Sequence, residues 1–229
     1  MGVYFTWYMK LIIQSKDTTH YRSHGFGALM NKALRLCWLH FEKYGNWNVE
    51  FQDYQLEDLF TNPAFGESES YVKDLIWDGD GPKDIDKNRL AFESCFRDRC
   101  LLPNTMGVYD WIGVHARGTD KATECELVSI KTICQHINKF NDRIFLATED
   151  QNRFLKLKAI YGKQIVSSFP TNLSHHVVGE KRLKINKDAY VDARILSQSK
   201  VFLACNSNLS ELAKAMRHPD LPIIDMQIL

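Results

Sequence analysis

Between residues 110 and 225 short strand-like runs alternate with amphipathic stretches, and nothing else in the chain restricts its fold as strongly. The runs stand at 110–116 (DWIGVHA), 143–148 (RIFLAT), 163–168 (KQIVSS), 200–205 (KVFLAC) and 221–225 (LPIID). Residues 127–140, 151–161, 188–199 and 209–217 between them carry apolar side chains at helical spacing. Alternation of this kind is the pattern of a parallel sheet covered by helices on both faces. It predicts a Rossmann-like α/β lobe over residues 106–229.

The first 105 residues are less regular. A strand over 10–15 (KLIIQS), a turn at His24-Gly25-Phe26-Gly27, a helix over 28–44 and a strand over 48–52 make a β-turn-α unit followed by a second strand. Residues 56–103 hold short helical patterns interrupted by the loop DGDGPKDIDKN at 78–88, to which no element is assigned. Together these predict a compact amino-terminal Rossmann-like lobe, 1–105, with the boundary near residues 103–107.

Composition narrows the function classes. Of the 229 residues 45% are hydrophobic and 12% aromatic, enough to bury a core, so disorder is not expected. Lysine plus arginine number 29 against 28 acidic residues, which argues against wrapping a nucleic acid or coating an anionic membrane. No run approaches the twenty apolar residues of a membrane span, and the apolar start MGVYFTWYMKLIIQSK lacks a basic leader and a cleavage site. The six cysteines include no C-x-x-C pair. Reduced thiols in a cytoplasmic protein are the expectation.

In open sheets of this class ligands bind beyond the carboxyl ends of the strands. The residues there run from His115 to Lys121, then Thr148-Glu149-Asp150, Ser167-Ser168, and Asn206-Ser207-Asn208. An arginine, a lysine, hydroxyls and helix amino termini around one rim suit a diphosphate, because guanidinium forks and free N–H groups both meet phosphate oxygens.

The stretch Ile112-Gly113-Val114-His115-Ala116-Arg117-Gly118-Thr119-Asp120-Lys121 resembles the I-G-V-H-x-R-R-T-D-K segment of the alpha-1,6-fucosyltransferase family, which includes enzymes acting on N-glycan cores and on bacterial Nod factors. Two more stretches follow in the same order. Phe145 to Asp150 is similar to that family's L-A-T-D-D, and Asp192 with Leu196-Ser197-Gln198 and Phe202-Leu203 is similar to its D-x-x-x-L-S-Q-A-x-F-L. The resemblance spans residues 110–217 and joins the amino-terminal part only through Gly25, Gly27 and Asn31, where such families place a glycine-rich turn facing the donor.

What the resemblance implies is a GT-B-like architecture of two Rossmann-like lobes and an inverting transfer of fucose from GDP-fucose to a glycan hydroxyl, with no metal or other cofactor. Arg117 falls on the arginine that contacts the donor diphosphate, and Asp192 on the carboxylate that reads guanine. His115, Thr119, Asp120, Lys121, Asp150, Ser207 and Asn208 match positions near the donor. Glu126, with Glu124 as the alternative, falls near the catalytic glutamate. Gly118 departs from the pattern, since the family commonly has a second arginine there.

Other readings stand beside these. Arg117 on its own could be a surface arginine, His115 could bond neighbouring backbone, Asp192 could pair with Arg194 or cap a helix, and Glu149-Asp150 could simply start one. Asp78-Gly79-Asp80 resembles the D-x-D of metal-dependent glycosyltransferases but lacks their strand context, and Asp84 and Asp86 do not complete a calcium loop. Alternatives in function are a transferase using another GDP-deoxyhexose or rhamnose, a catalytically inactive GDP-sugar-binding module, and a Rossmann dehydrogenase. The last is disfavoured because no G-x-G-x-x-G follows a strand in the second half.

Overall fold

The structure is a computed structural model that describes residues 11–13, 26–51, 60–61, 84–98, 109–118, 127–167 and 180–227. Cα packing divides the chain into two compact units, Met1–His24 with Ala28–Leu101, and Gly25–Gly27 with Leu102–Leu229.

In the first unit β1 (Leu11–Ile13) pairs in parallel with β2 (Val49–Phe51), in the register Leu11 to Val49. The helix α1 (Phe26–Tyr44) runs between them in sequence, as expected of a parallel pair that needs a crossover. Its Met30, Ala33, Leu34 and Cys37 recur at helical spacing and are fully buried. The unassigned region contains β3 (Phe60–Thr61), α2 (Ile85–Cys95) and β4 (Arg97–Asp98), with β3 and β4 antiparallel. Asp84 starts α2 as its cap, its Oδ1 accepting from the N–H groups of Asp86 and Lys87 at 3.1 Å each. The D-x-D of residues 78–80 lies outside the described residues.

The second unit is built on a parallel sheet of β5 (Tyr109–His115), β6 (Arg143–Ala147), β7 (Ser199–Ala204) and β8 (Ile223–Asp225), in the order β6-β5-β7-β8. Helices α3 (Ile130–Ile137), α4 (Gln151–Tyr161), α5 (Glu180–Ser197) and α6 (Asn208–Met216) alternate with the strands. Ile112, Val114, Ile144, Leu146 and Leu203 of the sheet pack in one core with Ile133, Ile137 and Leu157 of the helices.

The strand expected at 163–168 is reduced to one bridge, Ile165 beside Ile144, after a 3-10 turn at Gly162–Gln164. The cause lies two residues on. Ser167 Oγ accepts from Leu146 N–H at 3.0 Å and donates to Leu146 O at 2.8 Å, so a side chain occupies both groups a longer strand would have paired. Counting that bridge, the strands lie in the chain order 3-2-1-4-5, and β5 has its sequence successors on one side and β7 on the other.

Other boundaries move as well. α3 is shorter than the expected 127–140 because Ser129 caps it, its hydroxyl accepting from Thr132 N–H at 3.0 Å. α5 begins at Glu180, well before the expected 188, and ends before Ser199, whose hydroxyl bonds Leu196 O at 2.6 Å. Arg217 closes this junction. Its Nη1 donates to the carbonyls of Leu196 and Ser197 at 3.1 and 2.9 Å, and its Nη2 to those of Lys200 and Pro222 at 3.3 and 2.9 Å. One buried guanidinium thus satisfies carbonyls at the end of α5, in β7 and ahead of β8.

Candidate functional site

Strand order places the carboxyl end of β5 at the point where the chain's connections diverge to opposite sides of the sheet, the general location of ligand sites in such sheets. His115 is the last residue of β5 and Arg117 lies two beyond it. Cys205 follows β7 on the neighbouring strand, and Ser207 opens α6.

These residues form a buried polar cluster. His115 is 3% exposed, and its Nδ1 hydrogen-bonds with Ser210 Oγ at 2.8 Å and Ser207 Oγ at 3.0 Å. Ser207 is the amino-terminal cap of α6 and also accepts from Ser210 N–H at 3.0 Å. Ser210 Oγ is 3.9 Å from the sulfur of Cys205.

Charge is distributed accordingly. Burial acts to raise the Cys205 thiol, but His115, the Arg117 N–H and the Ser210 hydroxyl outweigh it and bring the group down to about 7. Burial by itself lowers the His115 imidazole. Cys205 and then Glu149 overcome that, against an opposing Arg117, and leave it above the ordinary histidine value. Each of the two thus favours the charged form of the other.

Arg117 is half-buried, and its Nε is enclosed without a hydrogen-bond partner among the described residues. A buried N–H donor without an acceptor is costly unless something else supplies one. Next to it, Gly118 N–H donates to Glu149 Oε1 at 2.6 Å. A Cβ at Gly118 would stand 2.9 Å from Asp150 Cβ and 3.1 Å from Glu149 Oε1, so the backbone here is pressed against the segment that starts α4. Where the related pattern carries a second arginine, this backbone has no room for a side chain without a shift.

Asp192 lies in the middle of α5, where it caps nothing. Burial pushes its carboxyl up to about 7, with His115 opposing and Asp188 adding to the rise. Asp150 caps α4: its Oδ1 accepts from Asn152 and Arg153 N–H at 2.8 and 3.1 Å, and Oδ2 lies 3.8 Å from Arg153 Nε. That is the helix-start alternative, realised in full.

Asn208 is exposed in the first turn of α6. Gly27, at the start of α1, packs on it: a Cβ there would lie 2.7 Å from both Asn208 C and Leu209 N. The need for glycine is thus close backbone approach. Asn31 lies further along α1, in the first unit. Gly25, Thr119, Asp120, Lys121, Glu124 and Glu126 lie outside the described residues.

The structure therefore joins His115 and Ser207 by a hydrogen bond with Arg117 two residues beyond, and a charge on His115 acts to lower the Asp192 carboxyl. Sequence reasoning missed Cys205 and Ser210. The available signals were the position of Cys205 at the end of KVFLAC and the three-residue spacing of Ser207 and Ser210, that of a cap and its partner. Among the described residues no three histidine, cysteine, aspartate or glutamate side chains converge as a metal site, and no helix is long and apolar enough to cross a membrane.

No protein-family model matches the chain. No curated protein matches it in sequence either. Its fold, however, is that of solved fucosyltransferases. A NodZ alpha-1,6-fucosyltransferase soaked with GDP-fucose superposes with a TM-score of 0.54 at 13% identity, over 91% of this chain and 92% of that one. Fucosyltransferase NodZ from Bradyrhizobium gives 0.52 at 14% identity over 91% and 93%. NodZ co-crystallised with GDP gives 0.52 at 14% over 91% and 92%.

Proposed function

We propose that the chain is a glycosyltransferase that moves fucose from GDP-fucose to a glycan hydroxyl with inversion at the anomeric carbon and without a metal. The observation that carries this is Arg117. It stands beyond the central strand at the divergence point of the sheet, with a buried Nε that the described residues do not satisfy, in a fold shared with transferases crystallised with GDP and GDP-fucose.

Chemically, breaking the bond between fucose and GDP builds negative charge on the departing diphosphate. A preorganised guanidinium at that position stabilises the charge as it forms, an effect typically worth about 3 to 4 kcal/mol. His115, wedged between Ser207 and Ser210, holds the end of β5 against α6. An ionised Asp192 accepts the N1 and N2 protons of guanine, which adenine does not offer. Glu126, or Glu124, takes the proton of the attacking hydroxyl. Thr119, Asp120 and Lys121 complete the donor side, and residues 1–105 supply the acceptor side as a second lobe. Buried free thiols at Cys37 and Cys95 fit a cytoplasmic setting.

A titration calorimetry panel of GDP, ADP, UDP and GDP-fucose, with and without chelator, tests this. GDP and GDP-fucose bind and the chelator has no effect. Preference for UDP with a manganese requirement would overturn the proposal and direct attention to Asp78-Gly79-Asp80.

One observation favours a second reading, a GDP-sugar-binding module without turnover. The backbone at Gly118 is closed to the second cation that the related pattern supplies. Slow release of fucose from GDP-fucose by the purified protein separates the two, because a module without turnover releases none. Another GDP-deoxyhexose or rhamnose as donor remains within the first reading, and the same panel of GDP-sugars distinguishes it.

A further inference from the structure

We propose that Glu149 is a positioning residue for Arg117: its carboxylate accepts the Gly118 N–H at 2.6 Å and so fixes the peptide that follows the arginine. This role rests on the reading of Arg117 as the diphosphate contact.

A glutamate just ahead of a helix is usually accounted for by the helix dipole alone. Glu149 does something else, because its side chain turns back onto the segment after β5. His115 is in register with Ala147, and Ala116 N–H donates to Ala147 O at 2.9 Å. Bonds of a parallel ladder recur at every second residue, so the next donor is Gly118 N–H and the next acceptor position is 149. The main chain leaves the sheet there, since Asp150 already caps α4. The Glu149 carboxylate stands in for a backbone carbonyl and carries the ladder one step past the strand.

Arg117 thus lies between two N–H groups held from the β6 side, Ala116 by main chain and Gly118 by a side chain. The acceptor stands on a braced turn. Asp150 Oδ1 accepts from Asn152 and Arg153 N–H, and Arg153 Nη1 donates to Val128 O at 2.7 Å. In the related pattern position 118 is arginine and position 149 aspartate, and here both differ. The side chain absent at 118 lets the turn approach, and the extra methylene at 149 lets the carboxylate reach the main chain.

The test uses the full chain, with Glu149→Ala, Glu149→Gln, Arg117→Ala and the double variant Arg117→Ala/Glu149→Ala. GDP binds Glu149→Ala about tenfold more weakly than wild type, the order of one hydrogen bond to a charged group. Glu149→Gln, which keeps an acceptor oxygen without the charge, stays within about threefold of wild type. In the double variant the loss of Glu149 adds nothing to the loss of Arg117, because a residue acting only through the guanidinium has no effect once that group is gone. The Arg117 Nε–H signal in NMR, assigned by its disappearance in Arg117→Ala, shifts in Glu149→Ala and not in Glu149→Gln. Equal GDP affinity of wild type and Glu149→Ala, when Arg117→Ala is weakened, overturns the role. So does a Glu149→Ala loss of the same size in both backgrounds, the mark of a merely structural residue. If wild type binds no GDP, or Arg117→Ala binds it equally well, the reading of Arg117 falls, and the Nε–H signal alone decides the role of Glu149: a signal unmoved in Glu149→Ala overturns it. Should Glu149→Ala fail to fold, Glu149→Asp, one methylene too short for the Gly118 N–H, takes its place in each comparison.

Discussion

Gly118 and Glu149 meet through a 2.6 Å hydrogen bond in which the glycine N–H donates to the carboxylate Oε1. A methyl group at position 118 would press on Asp150 Cβ at 2.9 Å as well as on that carboxylate. Gly118→Ala is therefore expected to cost about 1–3 kcal/mol of stability, the usual range for overpacking, read as a lower urea midpoint. Restoring the related pattern with Gly118→Arg should destabilise further and not raise activity. Glu149→Ala, which leaves the Gly118 N–H without this acceptor, should cost about 1–3 kcal/mol.

Arg117 offers the opposite combination. Because its buried Nε has no partner among the described residues, Arg117→Ala removes little that holds the fold. Stability should stay within about 0.5 kcal/mol of wild type. GDP-fucose turnover should fall by a factor of about 10² to 10³, and Arg117→Lys should recover only a small part, since a point charge does not reproduce the fork. A variant with full turnover would remove the residue from the chemistry.

Asp192 makes stability depend on pH with a defined sign. Its carboxyl is raised from 3.8 to about 7 in the folded chain, so the native state holds a proton that the unfolded state releases. The resulting stabilisation is complete below about pH 4 and is lost as pH rises through about 7. Denaturation at pH 5 and pH 7.5 should show this loss in wild type and a flatter profile in Asp192→Asn. GDP affinity should run the other way, strengthening from pH 5 to 7.5 as the carboxylate ionises to meet guanine. Proton release, seen as buffer-dependent heat of binding, should accompany it.

Arg217 is a structural counterpart to Arg117, two arginines with opposite fates. Burial lowers its guanidinium only to about 10, so it stays charged at neutral pH while satisfying carbonyls from three segments. Arg217→Met should cost about 3–5 kcal/mol, because several buried acceptors lose their donor together. Thermal and urea denaturation read the loss directly, and GDP affinity of the remaining folded fraction should change little.

Gly27 sits against the backbone of Asn208 and Leu209, closer than any side chain permits. Gly27→Ala should cost about 1–3 kcal/mol even though alanine is the better helix former, because the clash is with backbone that cannot rotate away. Circular dichroism melting checks this. An unchanged or raised melting temperature would show that the start of α6 yields to the added methyl group.

Much of the fold was legible because periodicity is a local property. β6 and β8 fall within the expected runs, β5 and β7 each begin one residue before theirs, and α4 matches its expected span. The strand at 163–168 was misjudged because Ser167 turns its hydroxyl back on Leu146, a choice no period-two pattern encodes. The early start of α5 was missed because residues 180–187 are mostly polar. At the site, His115, Arg117 and Ser207 were readable as strand-end and helix-start residues. Asp150 was readable in the same way, and its two backbone contacts are those of a helix cap.

The order of helices and strands, and the placing of an arginine just past an apolar strand, follow from the amino acids themselves, since both depend on neighbours a few positions apart. Only the tertiary structure decided that β5 lies between β6 and β7, that His115 meets Ser210 from 95 positions away, and that the Cys205 sulfur lies near the Ser210 hydroxyl. Strand order and register arise when distant faces are buried together. A local pattern specifies that a face is apolar without specifying which other face will cover it.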